Sequence, residues 1–387
     1  MLTTVAFTLV SLLTAAFLFA SGQGQGAAVA HVAFAIGIVP LIFAAMIHFV
    51  PVLTRTGEPS PWIRRLPALA QGVGVLIVLA MQGVLPYHAV YAGAVFDFFL
   101  TASLFLWLLQ RAGKTLGRPH PGWRWYAGAL SVFLCALLAV LAMPFWPGEW
   151  AAWRVLHLHL NTLGLLGLAA FGTLPVLLPT ALGQADPQAA PWLLRKFWPM
   201  LAGVVLSSLG AAFYAPLAVL GSVVLLFVTL SLPQHWWRQF GAARLRDGVA
   251  LGLFAAVSGF ALSLFAGNLH ALLAWPARPA IAAWAALFLL PLVTAALSQL
   301  LPVWRWPGPK VPGRAAMRAL LVQGAAWRAG GFLLGGMAFL LEFSALGVVF
   351  SCAALLSFVV QLLRALRVER DTEQNTEQNT AQEIARN

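Results

Sequence analysis

The chain has 387 residues, of which 61% are hydrophobic and only 9% charged, and its formal net charge is +12. So few polar side chains cannot cover the surface of a water-soluble domain, which excludes a soluble enzyme or binding module and points to an integral membrane protein with the lipid bilayer as its surroundings. The positive charge is not a nucleic-acid signature, because the basic residues stand in short connections between apolar runs, the pattern of cytoplasmic loops.

The apolar runs are unbroken and close to the ~20 residues that a helix needs to cross a bilayer, whereas a transmembrane β-barrel would show short alternating segments. An all-α membrane bundle of about twelve helices is therefore expected. The first run, residues 4–21 (LTTVAFTLVSLLTAAFLFA and its surroundings), reads as a membrane helix. A signal peptide would have a basic leading region, and the SGQGQG that follows is a poor cleavage site. The later spans are predicted at 28–52, 66–85, 88–110, 125–145, 153–180, 197–214, 216–232, 249–268, 279–302, 328–342 and 345–366, the eleventh being short. Residues 1–366 thus form the membrane domain. The polar, low-complexity segment 367–387 is expected to be a disordered cytoplasmic tail.

Of the 23 Lys and Arg residues, 21 fall in alternate connections or in the tail; only Arg154 and Arg278 fall on the other side. This bias places both termini in the cytoplasm of a multi-pass protein of a bacterial inner membrane. Cys135 and Cys352 both lie in apolar runs and form neither a disulfide framework nor a Cys-based metal site.

Three stretches are similar to one another. PLIFAAMIHFVPV (residues 40–52) and PLVTAALSQLLPV (residues 291–303) agree at six of thirteen positions, and the sixth span ends in the comparable VLLP at Pro179. Pro51, Pro179 and Pro302 are 128 and 123 residues apart, four spans in each case. The chain reads as three four-helix repeats, approximately 1–124, 125–248 and 249–366, each proline ending a helix at the cytoplasmic border. His31 and His159 both lie 20 residues before their proline, where the third repeat has Ala282.

Topology sorts the histidines. His120 and His235 fall in basic cytoplasmic loops and read as solvated, and His48 is at a cytoplasmic helix end. His31, His88, His157, His159 and His270 all fall at the outward ends of spans. Each taken alone is as readily an interfacial side chain, but polar groups facing into a bundle mark functional sites by default, and neutral imidazole is a ligand for haem iron, copper and zinc. His157, His159, His88 and His270 are the candidate metal ligands. At about 100° per residue, His157 and His159 point to nearly opposite sides, so they are not expected to share one metal. Asn161 follows His157 on the same face, and Arg154 precedes it by one turn, either as a snorkelling anchor or as a partner for a haem propionate. Asp97, Asn268 and Glu342 complete the polar groups expected inside the bundle.

These features resemble subunit I of the haem-copper oxidases: twelve spans in three four-helix arcs, with a histidine on span two and others on span six. The layout is also similar to that of NnrS proteins, in which a histidine-bearing span ends in a proline and a threonine-glycine turn. Here His31, Pro51 and PVLTRTG correspond to it, although the HAHE of that family is reduced to AHVA. The resemblance implies haem and copper as cofactors. It also implies a respiratory or nitric-oxide-related role and a place beside a respiratory or denitrification membrane complex. It makes His31 the first haem-ligand candidate, with His157 and His159 as candidates for a second ligand or for copper. Spans seven and ten lack the histidines of a true oxidase, so an oxygen-reducing centre, and hence an enzyme, is not expected. Two other functions fit the composition: a multi-span transporter, and a non-catalytic assembly partner of a respiratory complex.

Overall fold

The computed structural model of the chain describes residues 1–23, 26–273, 275, 279–307 and 312–386; the side chains of 312 and 368–386 lie outside this description. Arg278 and Lys310, which contribute to the charge bias, are therefore not described. Among the described residues the chain is all-helical. Eleven helices are long and apolar enough to cross a membrane. They are α1 (Leu2–Ala20), α2 (Gly26–Thr54), α3 (Pro61–Met81), α4 (Ala89–Gly113), α5 (Gly122–Ala142), α6 (Pro147–Ala181), α7 (Ala189–Phe213), α8 (Ala215–Arg244), α9 (Gly248–Leu273), α10 (Ala280–Arg305) and, after two shorter helices, the Ser344–Arg367 part of the last helix. The shorter helices are α11 (Pro312–Leu321) and α12 (Ala325–Leu340), and the last is α13 (Ser344–Arg386). The main chain of the polar tail, read as disordered, thus continues the helix to Arg386.

The eleventh expected span, 328–342, falls in α12, which is shorter than the eleven membrane-length helices. Left-handed residues close it at both ends, Gly324 (φ 71°) before it and Glu342 (φ 65°) after it. The 16 residues between them rise about 24 Å at ~1.5 Å each, less than the ~30 Å hydrocarbon core.

Apart from the first two residues, the chain forms two compact units, one of Thr3–His235 with Ala261–Ala277 and the other of Trp236–Phe260 with Arg278–Asn387. In the first, α2 packs on α3, α3 on α4, α4 on α5, α5 on α6, and α6 on α7. In the second, α12 packs between α10 and α13, and α11 lies against α10 and α13.

Three helices contain a π-helical stretch: Val32–Ile38 in α2, Leu160–Leu168 in α6 and Ala285–Leu289 in α10. In α2 the cause is visible in the sequence. Pro40 has no N–H, so the Ile36 carbonyl loses its α-helical donor. The Gln71 side-chain amide of α3 donates to that carbonyl instead at 3.0 Å, and the Thr8 hydroxyl of α1 donates to the Gly37 carbonyl at 2.9 Å. The chain is close-packed there: a Cβ on Gly74 would lie 2.5 Å from the Ala35 carbonyl carbon and 2.8 Å from the Ile36 nitrogen. Pro51, Pro179 and Pro302 sit inside the last turn of their helices and do not terminate them.

Candidate metal centre

His31 stands in the second turn of α2, immediately before its π stretch, and His157 in α6, three residues before Leu160, where its π stretch begins. The fold brings these two side chains together: their rings are parallel to within 4° and their centroids are 6.3 Å apart. Each Nδ1 is held by a backbone carbonyl, that of His31 by Ala27 of its own helix at 2.7 Å and that of His157 by Ala136 of α5 at 2.9 Å. A carbonyl only accepts, so the proton of each neutral ring is on Nδ1 and the lone pair is on Nε2, the tautomer that ligates a metal. Two imidazoles on opposite sides of one metal, each with a bond of about 2 Å and a further ~1.1 Å from nitrogen to ring centre, place their centroids ~6 Å apart. The observed centroid separation is of that length.

The other candidates are not gathered here. His159 points elsewhere, with its Nδ1 on the Val155 carbonyl at 2.9 Å. His88 is exposed at the start of α4, and His270 is exposed with Nδ1 on the Trp275 carbonyl at 2.6 Å. Among the described residues, no group of three or more His, Cys, Asp or Glu side chains converges on one ion position. Of the four candidate metal ligands, His157 is the one whose ring lies beside His31; His159, two residues on, faces away from it on the helix.

Asn161 lies one turn beyond His157. Its Nδ2 donates to the His157 carbonyl at 2.7 Å and stands 3.4 Å from both ring nitrogens. Arg154 is exposed, its guanidinium 5.3 Å from the centre of the Trp150 ring. Asp97 is buried in mid-α4, as is Thr101 four residues on, and neither Asp97 Oδ1 nor the Thr101 hydroxyl has a hydrogen-bond partner among the described residues. Asn268 is buried, and its Oδ1 has no hydrogen-bond partner among the described residues. Glu342, expected inside, is exposed: it occupies the left-handed turn between α12 and α13, which directs its side chain outward.

Two residues read as solvated are not. His235 is mostly buried and its Nε2 donates to Asp186 Oδ2 at 2.7 Å. His120 is half-buried and its Nδ1 accepts from the Gly122 N–H at 3.3 Å; burial pushes its pKa below the usual histidine value. Sequence reasoning missed the Ala136 carbonyl and Gln71, since both act through contacts between helices that no local pattern announces.

No protein-family model and no curated protein matches this chain.

Proposed function

We propose that the chain is a haem-binding membrane protein in which His31 and His157 would hold the iron of one haem. The observation that carries this reading is the His31–His157 pair: parallel rings at metal-bridging separation, each with Nε2 as its open lone pair. Coordination number favours haem over a bare ion. Copper(II) and zinc take three or four protein ligands, and no third ligating side chain joins the pair among the described residues. Two imidazoles alone leave the ligand set of these ions incomplete, and a porphyrin would supply the remaining nitrogens. When bound, the iron supplies one-electron chemistry. His31 and His157 would hold it, and the role we infer is electron transfer in respiratory or nitric-oxide-related metabolism. Arg154, one turn from His157, is our candidate for pairing with a propionate.

The π stretches support the three-repeat reading, since each lies in a corresponding place before Pro51, Pro179 or Pro302. The Lys and Arg bias supports cytoplasmic termini in a bacterial inner membrane, with α12 as a further short crossing and the histidine pair toward the outward side.

The test is to purify the chain after expression with ample haem and copper, and to measure haem, iron, copper and the reduced-minus-oxidised spectrum. One haem per chain is expected, in a six-coordinate low-spin state that carbon monoxide leaves unchanged. His31→Ala and His157→Ala lose it, and His159→Ala keeps it. Haem retained unchanged in both ligand variants overturns the reading, as does a wild-type chain with no haem. One copper per chain without haem replaces it with metal handling.

A further inference from the structure

We infer that Asn161 is the positioning residue that sets the ring plane of His157 and so keeps the two imidazoles parallel. This rests on the haem reading above. The Nδ1 hydrogen bond to Ala136 fixes one point of the His157 ring but leaves it free to swing about that axis. A second restraint is needed to define the plane. The Asn161 amide nitrogen supplies it, being the same 3.4 Å from Nδ1 and from Nε2. A group equidistant from both nitrogens does not lie along either lone pair, and Nδ1 is already engaged by Ala136. The amide therefore bears on the ring itself, as an N–H···π contact. Its own orientation is anchored by the 2.7 Å bond to the His157 carbonyl one turn back, so backbone, amide and ring form one rigid unit. The ring of His31 is within 4° of the plane so defined.

Parallel axial imidazoles have a signature that depends on ring planes and not on haem content. In a low-spin ferric haem they lift the degeneracy of the two iron d orbitals that overlap the π systems of the imidazoles, giving a rhombic electron paramagnetic resonance spectrum with three resolved g-values. Crossed planes leave those orbitals nearly degenerate and give a single feature at large g.

The test is low-temperature resonance of the ferric wild type, Asn161→Leu and Asn161→Ser, with haem per chain measured on each sample. The leucine removes the amide at similar volume. The serine hydroxyl still bonds the His157 carbonyl but no longer reaches the ring, and it stands in if the leucine variant does not fold. The wild type is expected to be rhombic. Both variants keep haem and move to the large-g form or a mixture containing it. A rhombic spectrum unchanged in either haem-loaded variant overturns the role of Asn161, as does a large-g wild type, and both leave the histidine ligation standing. A wild type without haem overturns the underlying reading instead.

Discussion

Two glycines of α3, two residues apart, provide a test of the close packing behind His31. A Cβ at Gly72 meets nothing within 4 Å, whereas a Cβ at Gly74 runs into the Ala35 carbonyl and the Ile36 nitrogen of the π stretch in α2, the latter at 2.8 Å. Those atoms are backbone, so no rotamer change relieves the clash, and α2 or α3 must move. Alanine at either position gains about 1 kcal/mol of helix propensity. At Gly74 that gain is opposed by roughly 1–3 kcal/mol of overpacking and by ~1 kcal/mol for the Gln71–Ile36 hydrogen bond that the shift disrupts. Gly72→Ala is therefore expected to be neutral or up to about 1 kcal/mol more stable, and Gly74→Ala about 1–3 kcal/mol less stable. Reversible unfolding in mixed detergent micelles, followed by the fluorescence of the 16 tryptophans, measures both. Two variants within about 0.5 kcal/mol of each other, the spread of ordinary surface changes, would refute the close approach of α3 to the π stretch.

Arg328, counted by charge among the loop residues, is only 4% exposed. It donates to the Leu321 and Gln323 carbonyls at the end of α11, with its guanidinium 5.8 Å from the centre of the Phe358 ring. Arg328→Met should cost about 3 kcal/mol of unfolding free energy, and Arg328→Lys should recover less than half, because one ammonium lacks the planar fork. Asp186, in the turn before α7, accepts from the Gln188 N–H at 2.9 Å and holds His235. Asp186→Ala is expected to lose about 1 kcal/mol more than Asp186→Asn, whose amide oxygen still accepts from the Gln188 N–H, and thermal unfolding of the two variants checks it. His120 has its pKa lowered by burial, so the unfolded chain binds the proton more readily than the folded one. Its stability contribution is complete above the unfolded value and is lost as pH falls through the folded value. Midpoints of unfolding should decline on acidification below about pH 6.5, with a slope reduced in His120→Asn, and an unchanged slope would count against this origin.

The amino-acid sequence by itself determined the class of molecule. Apolar runs of membrane length, basic connections on alternate sides and prolines at a regular interval are local or additive properties, readable without knowing which helix touches which. It also singled out His31 and the HLHLN segment, because imidazole in an apolar run is costly wherever it ends up. The choice between His157 and His159 lay beyond it. The repeat offset favoured His159, the counterpart of His31, yet the side chain that meets His31 is His157. That outcome depends on the rotation of α6 about its own axis, which is set by α5 packing along the Leu160–Leu168 stretch and by the Ala136 carbonyl. The π stretches had a partial signal in Pro40 and Pro291, but Leu168 stands at the corresponding position in α6, so composition alone does not specify them. The length of α12 was likewise decided by two left-handed residues, one of them a glutamate that no sequence rule reserves for such a turn. A helix carries its apolar content in its sequence; its rotation, its register and the pairing of its few polar side chains are fixed only when neighbouring helices close around it.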